Sequence, residues 1–176
     1  YDEVQRSIAE LSQYPEVFNA PIAADVAVLY DCDNVWSWRA QPQSIMFDFI
    51  AELMRLYRPF YAQNLHIDVL PSTRDLAGYK VVVVPVLQII DEALAARLRA
   101  FVEAGGAVVF SFRTGSKDRD NSMHFGIPLP GLVRDICGIT IEVVESLQPG
   151  QTVPIAGTGD YAGVSGTCDV WRDLVI

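Results

Sequence analysis

Histidine is scarce in this chain of 176 residues: with His66 and His124 alone, a histidine-rich metal cluster or a His-dependent triad has little to draw on. Cysteine is thin as well. Cys32, Cys137 and Cys168 are widely spaced and form no Cys-x-x-Cys pair, which argues against a disulfide framework or a zinc knuckle and fits free thiols in a reducing cytoplasm. Positive charge is in deficit, 13 Lys plus Arg against 22 Asp plus Glu, and a net charge of −9 disfavours nucleic acid or an anionic membrane as a partner. No apolar run reaches the ~18 residues that a membrane span requires, and the N-terminus lacks a basic segment leading into an apolar one. Internal repeats and low-complexity segments are absent.

What the chain does have is apolar content, 51% of its residues, enough for a core and a surplus that an interface would explain. The stretch from Tyr79 to Asn121 organises the rest. Lys80 to Val86 is too uniformly apolar for a sheet with one wet face and predicts a parallel strand covered on both sides. Asp91 is placed to cap a helix with Leu94, Leu98, Phe101 and Val102 on one face, and Gly105 and Gly106 supply its left-handed exit. Ala107 to Phe112 reads as the next buried strand. Strand, helix and strand of this length close as a right-handed βαβ unit, so the fold class is α/β.

Taken in order, Asp2 to Gln13 carries Val4, Ile8 and Leu11 at helical spacing and stops at Tyr14-Pro15. Phe18 to Ala24 reads as a linker and Asp25 to Tyr30 as the first core strand. A turn over Asp31 to Asn34 then leads into a loop holding Trp36 and Trp38. Ser44 is expected to cap a helix running to about Gln63, with Ile45, Phe49, Leu53, Leu56 and Phe60 inward, a kink or early stop at Pro59, and Asn64 as its C-terminal cap. His66 to Leu70 and Ile139 to Val144 complete five strands, a flavodoxin-like doubly wound, mostly parallel sheet with expected order 2-1-3-4-5. The Gly-rich tail from about 152 to 176 predicts an irregular β-rich edge. The connection from Arg113 to Gly131 far exceeds the ~2–6 residues usual after a strand in such a sheet, which argues for a role.

Ligands of this fold sit at the carboxyl ends of the strands. There, Asp31 and Asp33 would repel a phosphate, and as Mg²⁺ ligands they need a third carboxylate at the end of strand three, where Pro85 and Val86 stand. A nucleophile would need a Gly-flanked strand-to-helix elbow, and the third strand runs instead into Val86-Leu87-Gln88-Ile89-Ile90. The flanking carboxylates leave Cys32 a poor thiolate. No catalytic set, no cofactor site and no metal site emerges.

The segments ADVAVLYDCDNVWSW at 24–38, DLAGYKVVVVPVLQIIDEALAARLRAFVEAGGAVVFSFRTGSKDRDN at 75–121 and PGLVRDICGITIEVVESLQPG at 130–150 resemble the middle, trimerisation domain of family 42 glycoside hydrolases, the β-galactosidases. The most specific part is FSFRTGSKDRDN. The resemblance implies a class I glutamine amidotransferase-like fold without the triad. It also implies a homotrimer and a galactoside substrate handled only by a separate barrel domain that carries both catalytic glutamates. Residues 1–20 then resemble the end of that barrel and a linker, and 21–176 the flavodoxin-like domain. Partner or substrate-entrance contacts are expected from Trp36 and Trp38 and from the loop residues Arg113, Lys117, Asp118, Arg119, Asn121 and His124. The competing readings are an amidotransferase-like enzyme with an unusual nucleophile, and a sugar-binding module with Trp36 and Trp38 as its stacking platform.

Overall fold

A computed structural model describes residues 1–18, 20 and 23–176. Four parallel strands form the central sheet: β1 (Val26–Tyr30), β2 (Ile67–Pro71), β3 (Val81–Val84) and β4 (Ala107–Phe110), in the order β2-β1-β3-β4. Their side chains alternate between two cores, which is why the strands read as unbroken apolar runs. Ala27, Leu29, Val82 and Val84 face α5 (Glu92–Glu103), where Leu94 and Leu98 are buried. Val26, Val28 and Val83 face the other way, onto α3 (Cys32–Ala40) and α4 (Phe49–Ala62). The capping signals on α5 are read correctly from sequence, since the Leu94 N–H donates to Asp91 Oδ1 at 2.7 Å and Gly105 takes φ +94°.

The expected fifth strand leaves the sheet. β5 (Ile141–Ser146) pairs antiparallel with β8 (Trp171–Val175), while β6 (Val153–Ala156) and β7 (Ser165–Cys168) form a separate hairpin, so the β-rich tail is a pair of two-stranded ribbons. The reason lies in its composition: Glu142 and Glu145 interrupt the apolar run, and Glu145 pairs with Arg172 of β8, with Nε to Oε2 at 2.7 Å. A strand carrying such charges suits a ribbon with a wet face and could not be sandwiched between helices.

Two helix boundaries also differ from expectation. The segment holding both tryptophans is α3, because Asp31 caps it by accepting from the Asp33 N–H at 2.9 Å. Helix α4 begins at Asp48, whose Oδ1 accepts from the Ala51 N–H at 2.8 Å, whereas Ser44 makes only a local turn with Met46 and Ile45 is 91% exposed. Pro59 lies inside α4 without ending it. It sits on the exposed side of the last turns, where the carbonyl of Arg55 can be solvated. Asn64 at φ 57° supplies the left-handed exit expected of it.

The helix expected over 2–13 is α1 (Asp2–Leu11), followed by the single turn α2 (Pro15–Phe18), and Val4, Ile8 and Leu11 on its apolar stripe are all exposed. Of the expected linker, Asn19, Pro21 and Ile22 fall outside the described residues.

Candidate functional site

The carboxyl edge of the sheet is built by α3 and by the long connection after β4. Asn34, Ser37 and Gln41 recur at three and four residues along α3, which puts three polar side chains on one stripe. Asn34 grips the backbone beyond β3, its Oδ1 accepting from the Ile89 N–H at 2.8 Å and its Nδ2 donating to the Ile89 carbonyl at 3.2 Å. The β4 connection then runs beside that same backbone: the Gly115 N–H donates to the Leu87 carbonyl at 2.9 Å and the Lys117 N–H to the Gln88 carbonyl at 2.8 Å.

Lys117 is thereby carried inward, to 1% exposure. Its Nζ donates to Gln41 Oε1 at 2.7 Å, Asn121 Oδ1 at 2.9 Å and Ser37 Oγ at 3.3 Å, three neutral acceptors that match the three protons of the ammonium. No carboxylate pairs with it among the described residues, and burial pushes its pKa down. Gln88 Nε2 is left without a partner while Gln88 Oε1 stands 2.8 Å from Ser37 Oγ. Turning that amide over lets Nε2 donate to Ser37 and frees the Ser37 proton for Asn121, and it leaves Oε1 where Nε2 found no partner. Lys117→Met should therefore cost about 2 kcal/mol in urea unfolding, because Gln41 Oε1 loses its donor and the Ser37–Asn121 pair loses its charged partner.

Arg113 is buried as well. Its guanidinium stands over the Trp171 ring at 5.3 Å, donates through NH1 to Gln43 Oε1 at 3.0 Å, and places NH2 3.6 Å from Asp173 Oδ1. Burial lowers the Arg113 pKa and raises that of Asp173, and in both the attraction of the partner opposes the shift.

The two tryptophans part company. Trp38 is 2% exposed, packs on Phe47 and Trp171 at ring separations of 4.2 and 5.5 Å, and donates its Nε1–H to the Val86 carbonyl at 2.8 Å. It is a core residue, so the expectation of a contact residue is corrected there: two residues along the helix, just over half a turn, carry it from the Trp36 face round to the sheet. Trp36 is 61% exposed.

The remaining loop residues hold the loop together. Asp118 Oδ1 accepts from the Asp120 and Ser122 N–H groups at 2.9 and 3.0 Å, a local turn. Asn121, at φ 61°, turns its amide back to Lys117 and Ser37. His124 donates its backbone N–H to the Ser116 carbonyl at 3.4 Å, and its Nε2 is buried without a partner. Arg119 is exposed and pairs with the Asp91 cap, Nε to Oδ2 at 2.9 Å. The structure thus brings Arg113, Lys117, Asn121 and His124 inward, where outward projection was expected. Beside the exposed polar residues Arg119, Asp120 and Ser122, three apolar side chains of the loop also project: Met123 at 54%, Phe125 at 102% and Ile127 at 41% exposure.

Sequence reading missed Ser37, Gln41, Gln88 and Asp173. The three-and-four spacing of Asn34, Ser37 and Gln41 was the available signal, and it is legible only once α3 is read as a helix. Asp173 had none, because its approach to Arg113 depends on β8 folding back along β5.

The chemistry of the edge is closed. Val86, two residues past the end of β3, has φ 45°, the strained left-handed turn on which a nucleophile would be presented, but it carries an isopropyl group at 0% exposure. Burial, reinforced by Asp135, pushes the Cys137 thiol up to about 11. Alkylation at pH 8 should accordingly label exposed Cys32 well before Cys137, and rapid modification of Cys137 would contradict its burial. A cleft of about 70 Å³ at the ends of β1, β2 and β3 contains Asp31, Asp33 and Asp91 with Arg97 and Arg119. Two of its three carboxylates are already engaged, Asp31 by the Asp33 N–H and the Ser72 hydroxyl, Asp91 by Leu94 and Arg119. Among the described residues no three His, Cys, Asp or Glu side chains are grouped to hold a metal, and no helix is long and apolar enough to cross a membrane.

The family described as "Beta-galactosidase trimerisation domain" matches residues 24–175. The chain belongs to that family. A β-galactosidase of Halorubrum lacusprofundi is 36% identical over 139 residues, 79% of this chain and 20% of the relative. A β-galactosidase of Planococcus sp. strain L4 is 30% identical over 179 aligned residues, 99% of this chain and 26% of the relative. The crystal structure of β-galactosidase from Bacillus circulans sp. alkalophilus superposes with a TM-score of 0.82 at 31% identity, covering 88% of this chain and 23% of that one. This trimerisation domain therefore spans about a fifth to a quarter of the length of the relatives it matches. Its first 23 residues, with α1 and α2, precede the family match.

Proposed function

We propose that this domain is the subunit-association part of a longer β-galactosidase: it joins three copies and frames the approach to a neighbouring active site, while a barrel domain outside this chain performs the acid-base chemistry on the galactoside. The observation that carries the reading is the closure of the carboxyl edge. Where this fold class ordinarily admits a ligand, Lys117, Asn121 and Ser37 saturate one another and Val86 occupies the elbow. The exposed stripe of α1, with Val4, Ile8 and Leu11, is what the end of a preceding barrel would present, and the free thiols suit a cytoplasmic setting.

Trp36 and Arg119 are the contact candidates that remain exposed, and Asp118, Asn121 and His124 are half-buried. In the full-length protein, Trp36→Ala should lower the mass measured by light scattering while leaving the fold intact, since interface tryptophans commonly cost ≥ ~2 kcal/mol of association on truncation. A mass unchanged by Trp36→Ala would remove that residue from the interface. The chain alone should not hydrolyse a chromogenic β-galactoside, and turnover abolished by replacing one of its own carboxylates would refute the non-catalytic reading. Neither competing reading gains support. A platform of two tryptophans is not available with Trp38 in the core, and the half-buried Cys137, with its thiol pushed up to about 11, does not suit a nucleophile.

A further inference from the structure

The loop after β4 is ordered at its base and apolar at its tip. Gly115 and Gly131 bring its two ends so close that a Cβ on Gly115 would lie 2.4 Å from the Pro130 carbonyl oxygen, and one on Gly131 would lie 2.2 Å from that of Gly115. Lys117 ties its middle to α3, and a bridge between Lys117 and Met123 pairs the outgoing and returning strands of the loop. On this base the chain exposes Met123, Phe125 and Ile127, and the Phe125 ring is as open to water as in an extended chain, at 102%.

A fully exposed phenylalanine leaves a favourable burial unused, worth on the order of a 10- to 100-fold equilibrium shift for a side chain of its size. Fixing the backbone beneath it removes in advance the ordering cost that binding would otherwise incur. We propose that Phe125 is an anchor of the subunit interface, its ring inserting into an apolar pocket on a second copy of the same polypeptide. The proposal rests on the reading of this chain as a subunit-association domain and names the residue through which that association is made.

A second copy is favoured over other occupants by two observations. The chain belongs to a trimerisation family, and its net charge of −9 opposes insertion of the tip into an anionic bilayer. The form of the contact also fits. A ring of three requires a head-to-tail contact, in which one surface of each copy meets a different surface of the next, and a projecting ring seated in a neighbour's pocket satisfies that requirement.

The test uses the full-length polypeptide that contains this chain, with sedimentation equilibrium over a range of concentrations. Phe125→Asp should raise the dissociation constant of the assembly on the order of 30-fold or more, Phe125→Leu should restore most of it, and neither should move the thermal unfolding of separated subunits. An assembled wild type whose Phe125→Asp variant assembles equally well overturns the proposal alone. So does a variant with an unchanged dissociation constant and a lowered unfolding temperature, which would mean that the ring packs against its own polypeptide. A wild type that remains a single polypeptide at every concentration overturns the association reading itself, and the proposal with it.

Discussion

Trp38→Ala should lower the stability of the chain by about 3–5 kcal/mol, the range for removing a large buried aromatic. Trp38 is the hub between the sheet and the carboxy-terminal ribbon: its ring contacts Phe47 and Trp171, and its Nε1–H is the donor to the carbonyl of strained Val86. Truncation opens a cavity among those rings and leaves the Val86 carbonyl without that donor. Trp38→Phe should recover most of the packing but not the hydrogen bond, for a residual loss of about 1 kcal/mol. Urea unfolding followed by far-UV circular dichroism measures both variants. Trp36→Ala is the internal control, expected to change stability by less than about 0.5 kcal/mol because the ring is largely in water. Equal losses at the two positions would contradict the division between core and surface.

The second large effect is at the buried pair. Arg113→Ala should cost about 3–5 kcal/mol, because it strands the Asp173 carboxylate in a site that is 10% exposed, with no other cation paired to it. Replacing both partners, as Arg113→Met with Asp173→Leu, should recover most of that loss, since no uncompensated charge remains. Double-mutant unfolding measurements separate the two outcomes, and additive losses would show that the pair is not coupled.

The pair also sets a pH dependence. Burial raises the Asp173 pKa above its usual 3.8, against the lowering influence of Arg113, so the native state binds a proton there more readily than the unfolded chain does. Its contribution is fully present below 3.8 and is lost as pH rises through the folded pKa. Lys117 acts at the other end of the scale. With its pKa pushed below 10.5, the unfolded chain holds the proton longer, and stability increases as pH climbs from the folded value towards 10.5. Lys117→Met should abolish that alkaline slope.

The central βαβ unit could be read from the sequence because its signals are local. Uniform runs of valine mean both faces are covered, Asp91 caps, and Gly105 exits, and none of these depends on distant residues. The segment after β1 failed for the same reason in reverse. Val35, Trp36 and Trp38 do not fall on one helical face, so the apolar pattern hid a helix whose polar stripe was the informative one. The fifth strand was misplaced because a short run with two glutamates resembles a strand equally well in a sheet or in a ribbon, and only the pairing with β8 decides.

The site was harder still. Charged residues after a strand are ordinarily expected to reach into solvent, yet here Lys117 and Arg113 turn back into a chain that provides three acceptors for one and a carboxylate for the other. That inversion, polar groups inward and Phe125 outward, is a tertiary event with no signature in the loop's own composition.

Whether this domain assembles subunits can be read from light scattering of the full-length polypeptide separated by size. The expected mass is that of three polypeptides for the wild type, falling towards one when Trp36→Ala and Phe125→Asp are combined. A wild-type mass of one polypeptide, or a trimer that survives the combined variant unchanged, would contradict it.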